Sequence, residues 1–589
     1  MANQQVDSDV LPVLSISNPR QATSTRSSSD FDSKSFTTKS RFDDLGRNPG
    51  WSPSPNGEVA DPLHHPQPSN KDVSGGGGGG GGAPVEAISA LGQQVGWVTV
   101  VALNFSQMIG TGIFSTPGSI AKSLGSVGAS LLVWVIGIVI SFAGLAVYTE
   151  FASYYPNRAG AEVVYLEKAY PRPRYLLTVT FAFQTVLLSF SSSNCIVFAT
   201  YVLRACGAPE TEWREKSLAV GAMAFACLVI LLSTKWSLRV SNALSYLKVI
   251  ILTFVAISGL VVLAGGTKVK GVRDHNFHDA FRGTSKSGNA WAQAVVKIVF
   301  SFAGWNNANN VLNEIPNPVR TIKIWSPISL SIVSVLYILA GVAYFSAIPL
   351  EEIKSSKTLT AALYFEKVFG TTAGAKVLPA LVAVSAMGNI IAVAIGQSRV
   401  LREVGRQGVL PYPSLWSSTK PFGTPLFPLV VKFTLTAIMI LAPPFGDAFN
   451  FVVDLASYPS QFFNLLMVLG LFRIRYWRKR NDRDSEVEGG SEEIYKAWDV
   501  ALITYALVAL FLLIAPWLPP AGGAKGGDVS FWYATYCAVG IAVILVCFLY
   551  YLVRFVLIPR ARGYRWQDEV VTLDDGSVTN RLVKVYKSE

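Results

Sequence analysis

From about residue 96 to residue 556 the chain alternates long apolar runs with short polar connections rich in Arg, Lys, Pro and Gly. A helix needs about 20 predominantly apolar residues to cross the hydrocarbon of a bilayer. Twelve runs approach or exceed that length, which predicts spans over 96–122, 128–152, 175–203, 218–234, 243–264, 290–313, 327–348, 377–400, 425–443, 449–471, 500–517 and 532–556. The first and sixth of these are interrupted by glycine. One reads Met108-Ile109-Gly110-Thr111-Gly112-Ile113-Phe114 and the other Phe300-Ser301-Phe302-Ala303-Gly304-Trp305-Asn306. Each interruption opens a block of about five spans. Irregular backbone at membrane depth is tolerated only where protein or a water-filled cavity satisfies it. Matching interruptions in two halves of a chain point to the substrate site of a transporter.

Composition agrees with the pattern. Half of the residues are apolar and the mean hydropathy is +0.37, high for a soluble multidomain enzyme. The net charge of +12 sits mostly between the spans, so membrane topology explains it better than nucleic acid does. With the N-terminus taken as cytoplasmic, the cytoplasmic loops carry the basic excess, as in Arg473, Arg475, Arg478, Lys479, Arg480 and Arg483 after the tenth span. The loop after the fifth span, with Lys268, Lys270, Arg273, Arg282 and Lys286, runs against this trend without reversing it. Both termini are therefore expected in the cytoplasm. No apolar segment near Met1 resembles a cleaved signal peptide, so the first span is expected to act as signal anchor.

Residues 1–88 are rich in Ser, Asn, Gly and Pro and end in a glycine run from Gly75 to Gly82, a composition that cannot bury a core. The expected organisation is a disordered cytoplasmic tail (1–88), a first repeat of five spans (89–265), a second repeat (266–480), two further spans (481–558) and a cytoplasmic tail (559–589). The five cysteines and four histidines form no metal-binding pattern, so no metal or other cofactor is expected. Cys206, in a short loop, reads as a free thiol.

A helix broken at mid-membrane exposes carbonyls at one new end and amides at the other. Carbonyls near Met108 to Gly110 suit an ammonium group, and amides from about Gly112 to Phe114 suit a carboxylate. One broken helix thus offers both ends of a zwitterion without using a charged side chain. Phe302 and Trp305, beside the Gly304 break, are candidates to line and close a side-chain pocket. Lys248 lies in the fifth span, where a buried ammonium is either functional or snorkels to the interface. Lys297 and Lys432 read as snorkelling lysines. Asp454 and Glu314 read as packing pairs, with a gate or proton relay as the alternative, and Glu150 as a cytoplasmic gate or structural ion pair.

These residues resemble the amino acid–polyamine–organocation superfamily, and within it the L-type amino-acid transporter branch, fungal methionine permeases above all. Gly110-Thr111-Gly112-Ile113-Phe114 resembles the family's GSGIF, Tyr148-Thr149-Glu150 its YxEL motif, and Phe300 to Asn306 its FAYGGWN. Asn313 to Arg320 resembles the segment ending in E-x-x-NP-x-R, and Ser398 to Pro411 resembles SRxx…(S/G)R-x-G-x-LP. The resemblance covers about residues 92–480 well and the last two spans only by pattern. It implies an all-α polytopic membrane protein of 12 transmembrane helices, a LeuT-type 5+5 inverted repeat with helices 1 and 6 broken, and alternating access. It also implies substrate bound between the first, third, sixth, eighth and tenth spans. The family's fifth-span lysine falls on Lys248, where it resembles the cation replacing a sodium ion of sodium-coupled relatives. Ala303 stands for a glycine and Phe302 for a tyrosine, which makes that part of the pocket more apolar. Mammalian members join a heavy-chain glycoprotein through a loop cysteine. Cys206 lies near that position in different surroundings, and no such subunit is expected.

The expected function is import of a neutral apolar L-amino acid, methionine first, across the plasma membrane, coupled to protons and independent of sodium. The expected substrate-binding residues are Ile109, Gly110, Thr111, Gly112, Ile113, Phe300, Ser301, Phe302, Ala303, Gly304 and Trp305, with Lys248 in coupling. The alternatives are an exchanger of the L-type class and an amino-acid sensor with little flux. A polyamine carrier would want acidic residues in the broken segments, which hold none. No nucleophile–base pair marks an enzyme. The N-terminal tail, with its serines and Lys34, Lys39 and Lys71, is a candidate to accept phosphate and ubiquitin-ligase adaptors.

Overall fold

The computed structural model describes Pro84 and residues 95–586, apart from 267–275, 357, 445, 482–493, 521, 526–528 and 575. The expected disordered tail therefore lies outside the described residues except for Pro84, as do Lys268, Lys270, Arg273 and Arg483.

The first apolar run forms three helical pieces, α1 (Trp97–Met108), α2 (Gly112–Ser115) and α3 (Pro117–Leu124). Gly125, at φ +79°, ends α3 and lets the chain turn into α4 (Val127–Tyr154), whose N-terminus is capped by Ser126. The short α5 (Glu162–Ala169) leads to α6 (Leu176–Leu187) and α7 (Ser192–Cys206), followed by α8 (Glu212–Leu232) and α9 (Thr234–Leu263). The second half opens with α10 (Gly288–Phe302), a 3₁₀ segment (Asn307–Glu314) and α11 (Pro318–Ala347). Then come α12 (Leu350–Ser355), α13 (Thr360–Thr372), α14 (Leu378–Arg406), α15 (Pro413–Ser417), α16 (Leu426–Leu441) and α17 (Ala448–Arg480). The chain finishes with α18 (Asp499–Ile514), α19 (Thr535–Tyr551), α20 (Ile558–Arg562) and the strands β1 (Tyr564–Thr572) and β2 (Val578–Tyr586).

Among the described residues, 10 helical stretches are long and apolar enough to cross a membrane. The helices at the sixth and ninth expected spans are shorter, α10 with 15 residues and α16 with 16. At about 1.5 Å per residue each reaches roughly 23 Å. Burial runs opposite to that of a water-soluble bundle. Leu545, Val546, Phe548 and Leu549 of α19, and Ile250, Phe254 and Ile257 of α9, point outward, while Asn104, Ser106, Lys248 and Asn389 are buried. Such an outward apolar surface is stable against lipid and a liability in water. The protein is thus a mostly helical, multi-pass membrane protein.

Two features depart from the sequence expectations. The third run, expected as one span over 175–203, is divided between Leu187 and Ser192, because Ser189, Phe190 and Ser191 leave the helix. The all-α expectation also fails at the C-terminus, where β1 and β2 pair antiparallel with Asp568 opposite Leu582. The hairpin sits on one end of the bundle. Arg402 Nη2 donates to Ser577 Oγ (3.1 Å), Arg406 Nε to the Val578 carbonyl (2.8 Å), and Arg174 pairs with Asp568 (2.7 Å). This end is called the hairpin end below. Buried ion pairs knit it together: Arg158 with Glu167 and Glu403, Arg406 with Glu403, Arg399 with Glu314, and Arg475 with Glu150. The motif residues Glu150, Glu314, Arg399 and Arg406 are thereby accounted for as structural partners.

Candidate functional site

The two glycine breaks cross each other. α1 stops at Met108, where the Ile109 amide still bonds the Phe105 carbonyl (2.8 Å) and the Gly110 amide turns back to Met108 (2.7 Å). The first backbone bonds of α2 come from Phe114 and Ser115, both to the Thr111 carbonyl. The amides of Thr111, Gly112 and Ile113 therefore have no backbone partner among the described residues. The second break has the same logic. The Ala303 amide makes the last turn to Phe300 (3.2 Å), Gly304 adopts φ +119°, and the chain re-enters at Asn307.

Glycine is required at the crossing itself. A Cβ on Gly112 would lie 2.5 Å from Ser301 Cα, and one on Gly304 would lie 2.5 Å from Gln107 Cβ. Each break thus supplies the glycine against which the other packs. Tyr337 of α11 clamps the pair, because its hydroxyl donates to the Met108 carbonyl and lies 3.1 Å from the Ser301 carbonyl. Thr116 Oγ1 and Ser301 Oγ add a further bond at 2.9 Å. On the other side of the first break, Thr111 Oγ1 donates to Asn194 Oδ1 (2.7 Å), which also accepts from Asn389 Nδ2 (3.1 Å).

A cavity of about 370 Å³ starts at this crossing and extends toward the hairpin end. Gly110, Thr111, Gly112, Phe300 and Ala303 line it, together with Gln107 and Met108. Phe181, Phe190, Val393, Val452 and Val453 form apolar wall, and Gln184, Asn194, Asn306, Asn389 and Gln397 form polar wall. The remaining expected residues stand behind the lining. Ile109, Ile113 and Ser301 are buried, and Gly304 packs on Gln107. Phe302 packs against Trp134 and Tyr337, and Trp305 stands edge-on to Tyr148, so neither ring reaches the cavity wall. Away from the hairpin end, Tyr201 ties α2 to the segment before α13 through the carbonyls of Phe114 (3.2 Å) and Thr358 (3.1 Å).

Lys248 is fully buried and does not snorkel. Its Nζ donates to the Ser106 carbonyl (2.6 Å), two residues before α1 breaks, and lies 3.3 Å from Ser106 Oγ. Its stem packs on α14, where a Cβ on Gly388 would meet Lys248 Cε at 2.9 Å. Lys297 and Lys432 correct the snorkelling expectation as well. Lys297 pairs with Asp454 of α17 at 2.6 Å, so a counter-charge inside the bundle retains the ammonium. Lys432 is buried beside the break between α6 and α7, where it donates to the Ser189 carbonyl (2.8 Å), Ser191 Oγ (2.6 Å) and Gln397 Oε1. The Ser189 carbonyl, freed by the broken third run, and the two side-chain oxygens stabilise it.

Sequence reasoning missed the amide side chains and Glu162. Gln184, Asn194, Asn389 and Gln397 are polar positions inside apolar runs, a signal that was visible but weaker than glycine or charge. Glu162, on the short α5, accepts from the Tyr148 hydroxyl (2.5 Å) and Asn306 Nδ2 (3.2 Å), and its open surface belongs to the cavity wall. Burial raises its carboxyl above the usual range, and the bonds from Tyr148 and Asn306 partly oppose that rise.

The high-affinity methionine permease of Saccharomyces cerevisiae is 34% identical over 496 residues, 84% of this chain and 84% of that protein. The low-affinity methionine permease of the same yeast is 32% identical over 498 residues, 84% of this chain and 88% of that protein. The mouse b(0,+)-type amino acid transporter 1 is 29% identical over 436 residues, 73% and 83% of the two chains. Residues 95–557, which hold both breaks, the cavity and every span, match the family described as Amino acid permease, and the chain belongs to that family.

Proposed function

We propose that this permease is a secondary active transporter that imports a neutral apolar L-amino acid, L-methionine first, across the plasma membrane by alternating access. Transport is driven by protons and does not use sodium. The observation that carries the reading is the crossing of two broken helices at one cavity, with backbone groups left unpartnered there. The substrate carboxylate takes the amides of Thr111 to Ile113, and its ammonium takes the carbonyl freed at Gly110. Phe300, Phe190, Val452 and Val453 supply apolar wall for an uncharged side chain. Phe302 and Trp305 act from behind, holding the second break. Lys248 occupies the place of a bound cation, fixing α1 through Ser106.

The two yeast relatives are named for methionine, which favours that substrate. The hairpin end carries Arg478, Lys479 and Arg480 in the last turn of α17, which favours its facing the cytoplasm. In that orientation the cavity reaches inward, and Tyr201 closes the outer side. The twelve-span 5+5 repeat and both termini in the cytoplasm belong to the same reading, which requires no heavy-chain subunit.

The test is uptake of radiolabelled methionine, leucine, lysine and spermidine by the purified protein in liposomes, with and without an inward proton gradient. Methionine accumulating only with the gradient is the expected result. Uptake that requires preloaded amino acid would make the protein an exchanger. Saturable methionine binding without flux would make it a sensor.

A further inference from the structure

Glu162 is a carboxyl in the wall of the cavity with no cation beside it among the described residues. Its partners are the Tyr148 hydroxyl from α4 and the Asn306 amide, three residues past the break at Ala303. Tyr148 in turn carries the ring of Trp305 (centroids 4.9 Å apart, nearly perpendicular), so the carboxyl touches the second break by two routes. Its backbone joins a third: the Gly160 amide donates to the Asn310 carbonyl at 3.3 Å.

The ionisable groups around it have other commitments. Tyr505 faces it from α18, and Tyr165 from its own helix. From α14, Glu403 binds Arg158 and Arg406, and Gln407 binds Glu167. From α17, Arg473 donates to the Ala169 carbonyl at the far end of α5. Only neutral hydroxyl and amide groups donate to the Glu162 carboxylate among the described residues.

We infer that Glu162 is a proton-binding residue of the transport site, whose charge state sets the hold of Tyr148 and Asn306 on the second break. This rests on the proton-driven reading above and names a residue for it. Ionised, the carboxylate accepts from both donors and keeps the segment Ala303 to Asn306 tethered to α5. A proton taken from water admitted on the side opposite the hairpin, in the alternate conformation, forms an O–H bond on the carboxyl and turns one acceptor oxygen into a donor. The oxygen between Tyr148 and Asn306 then binds both more weakly, and the tether slackens. Release of the proton to water on the hairpin side restores it. Lys248 lies behind α1, off the cavity surface, and is suited to hold rather than to exchange.

The experiment compares the full-length wild type with Glu162→Gln in liposomes, measuring methionine uptake against external pH. Wild-type uptake should rise as external pH falls. In Glu162→Gln, which keeps an acceptor oxygen but cannot ionise, that rise and the gradient-driven accumulation should be lost. Glu162→Asp should restore a pH dependence displaced along the pH axis, which a purely structural role would not produce. An unchanged wild-type profile in Glu162→Gln overturns the inference and leaves the function standing. Wild-type uptake that ignores pH overturns both. Independently of substrate, a protonated-carboxyl infrared band at mildly acidic pH should be present in the wild type and missing from Glu162→Gln; a band common to both also refutes the assignment.

Discussion

Tyr337→Phe removes one oxygen from the clamp that fixes the two breaks to each other, and leaves the ring in place. The ring is held by Trp134 and Phe302, at centroid distances of 5.4 and 5.0 Å, so packing should survive. The Met108 carbonyl keeps the Gly110 amide and loses one bond, about 1 kcal/mol. The Ser301 carbonyl has no other partner among the described residues, and orphaning a buried carbonyl costs about 1–3 kcal/mol. One phenolic proton serves one of these carbonyls at a time, so the two figures do not add; the loss is about 1–3 kcal/mol, or roughly five-fold to over a hundred-fold in the population of the assembled site. The assay is initial-rate methionine uptake over a range of concentrations, normalised to the amount of protein in the membrane. Uptake efficiency should fall by at least the lower figure while the amount of folded protein changes little. Tyr344→Phe is the control. Its hydroxyl is buried on the same helix with no hydrogen-bond partner among the described residues, so its removal should leave uptake near wild type. Equal uptake by Tyr337→Phe and wild type would refute the clamp.

Three further substitutions probe other parts of the account. Gly112→Ala places a methyl 2.5 Å from Ser301 Cα and must push the breaks apart, so methionine binding by isothermal titration should weaken at least five-fold, in line with an overpacking cost of about 1–3 kcal/mol. Lys248→Met should abolish concentrative uptake while the protein still reaches the cell surface, and normal gradient-driven accumulation would end the case for this lysine in coupling. Lys297→Met and Asp454→Leu should each lower the melting temperature strongly, since breaking a buried pair costs about 3–5 kcal/mol. The double variant should recover most of the loss, and additive losses would show that the two residues do not act as a pair.

Much of the helical architecture could be read from apolar run length, and both breaks from their glycines. Gly112 and Gly304 sit where another chain segment approaches within a methyl's reach, so they were visible without any knowledge of contacts. The break between α6 and α7 escaped notice because Ser189 to Ser193 lie in an apolar run with no glycine or proline to mark a turn. The ammonium that stabilises this break, Lys432, comes from a helix more than 200 residues away in sequence. Sequence separation also hid the role of Lys297, whose partner Asp454 lies 157 residues away. A lone lysine near a span end resembles a snorkelling one until its acceptors are known. Phe302 and Trp305 stand at the second break but off the cavity wall, since hydropathy says nothing about which way a ring points after the helix unwinds. Glu162 was invisible for a different reason. It lies on a short connection between runs, and only the fold brings α5 against Asn306. The C-terminal hairpin carries Asp575-Gly576 between two segments of partly alternating polarity, a turn signal that charge counting passed over.

The central claim is that substrate binds where the two breaks cross. The measurement that tests it most directly is a cryo-electron microscopy map of the protein saturated with L-methionine. The account predicts density in the cavity with the carboxylate against the amides of Thr111 to Ile113, the ammonium against the carbonyl at Gly110, and the thioether toward Phe190 and Val452. Methionine bound elsewhere, with the crossing empty, would contradict it.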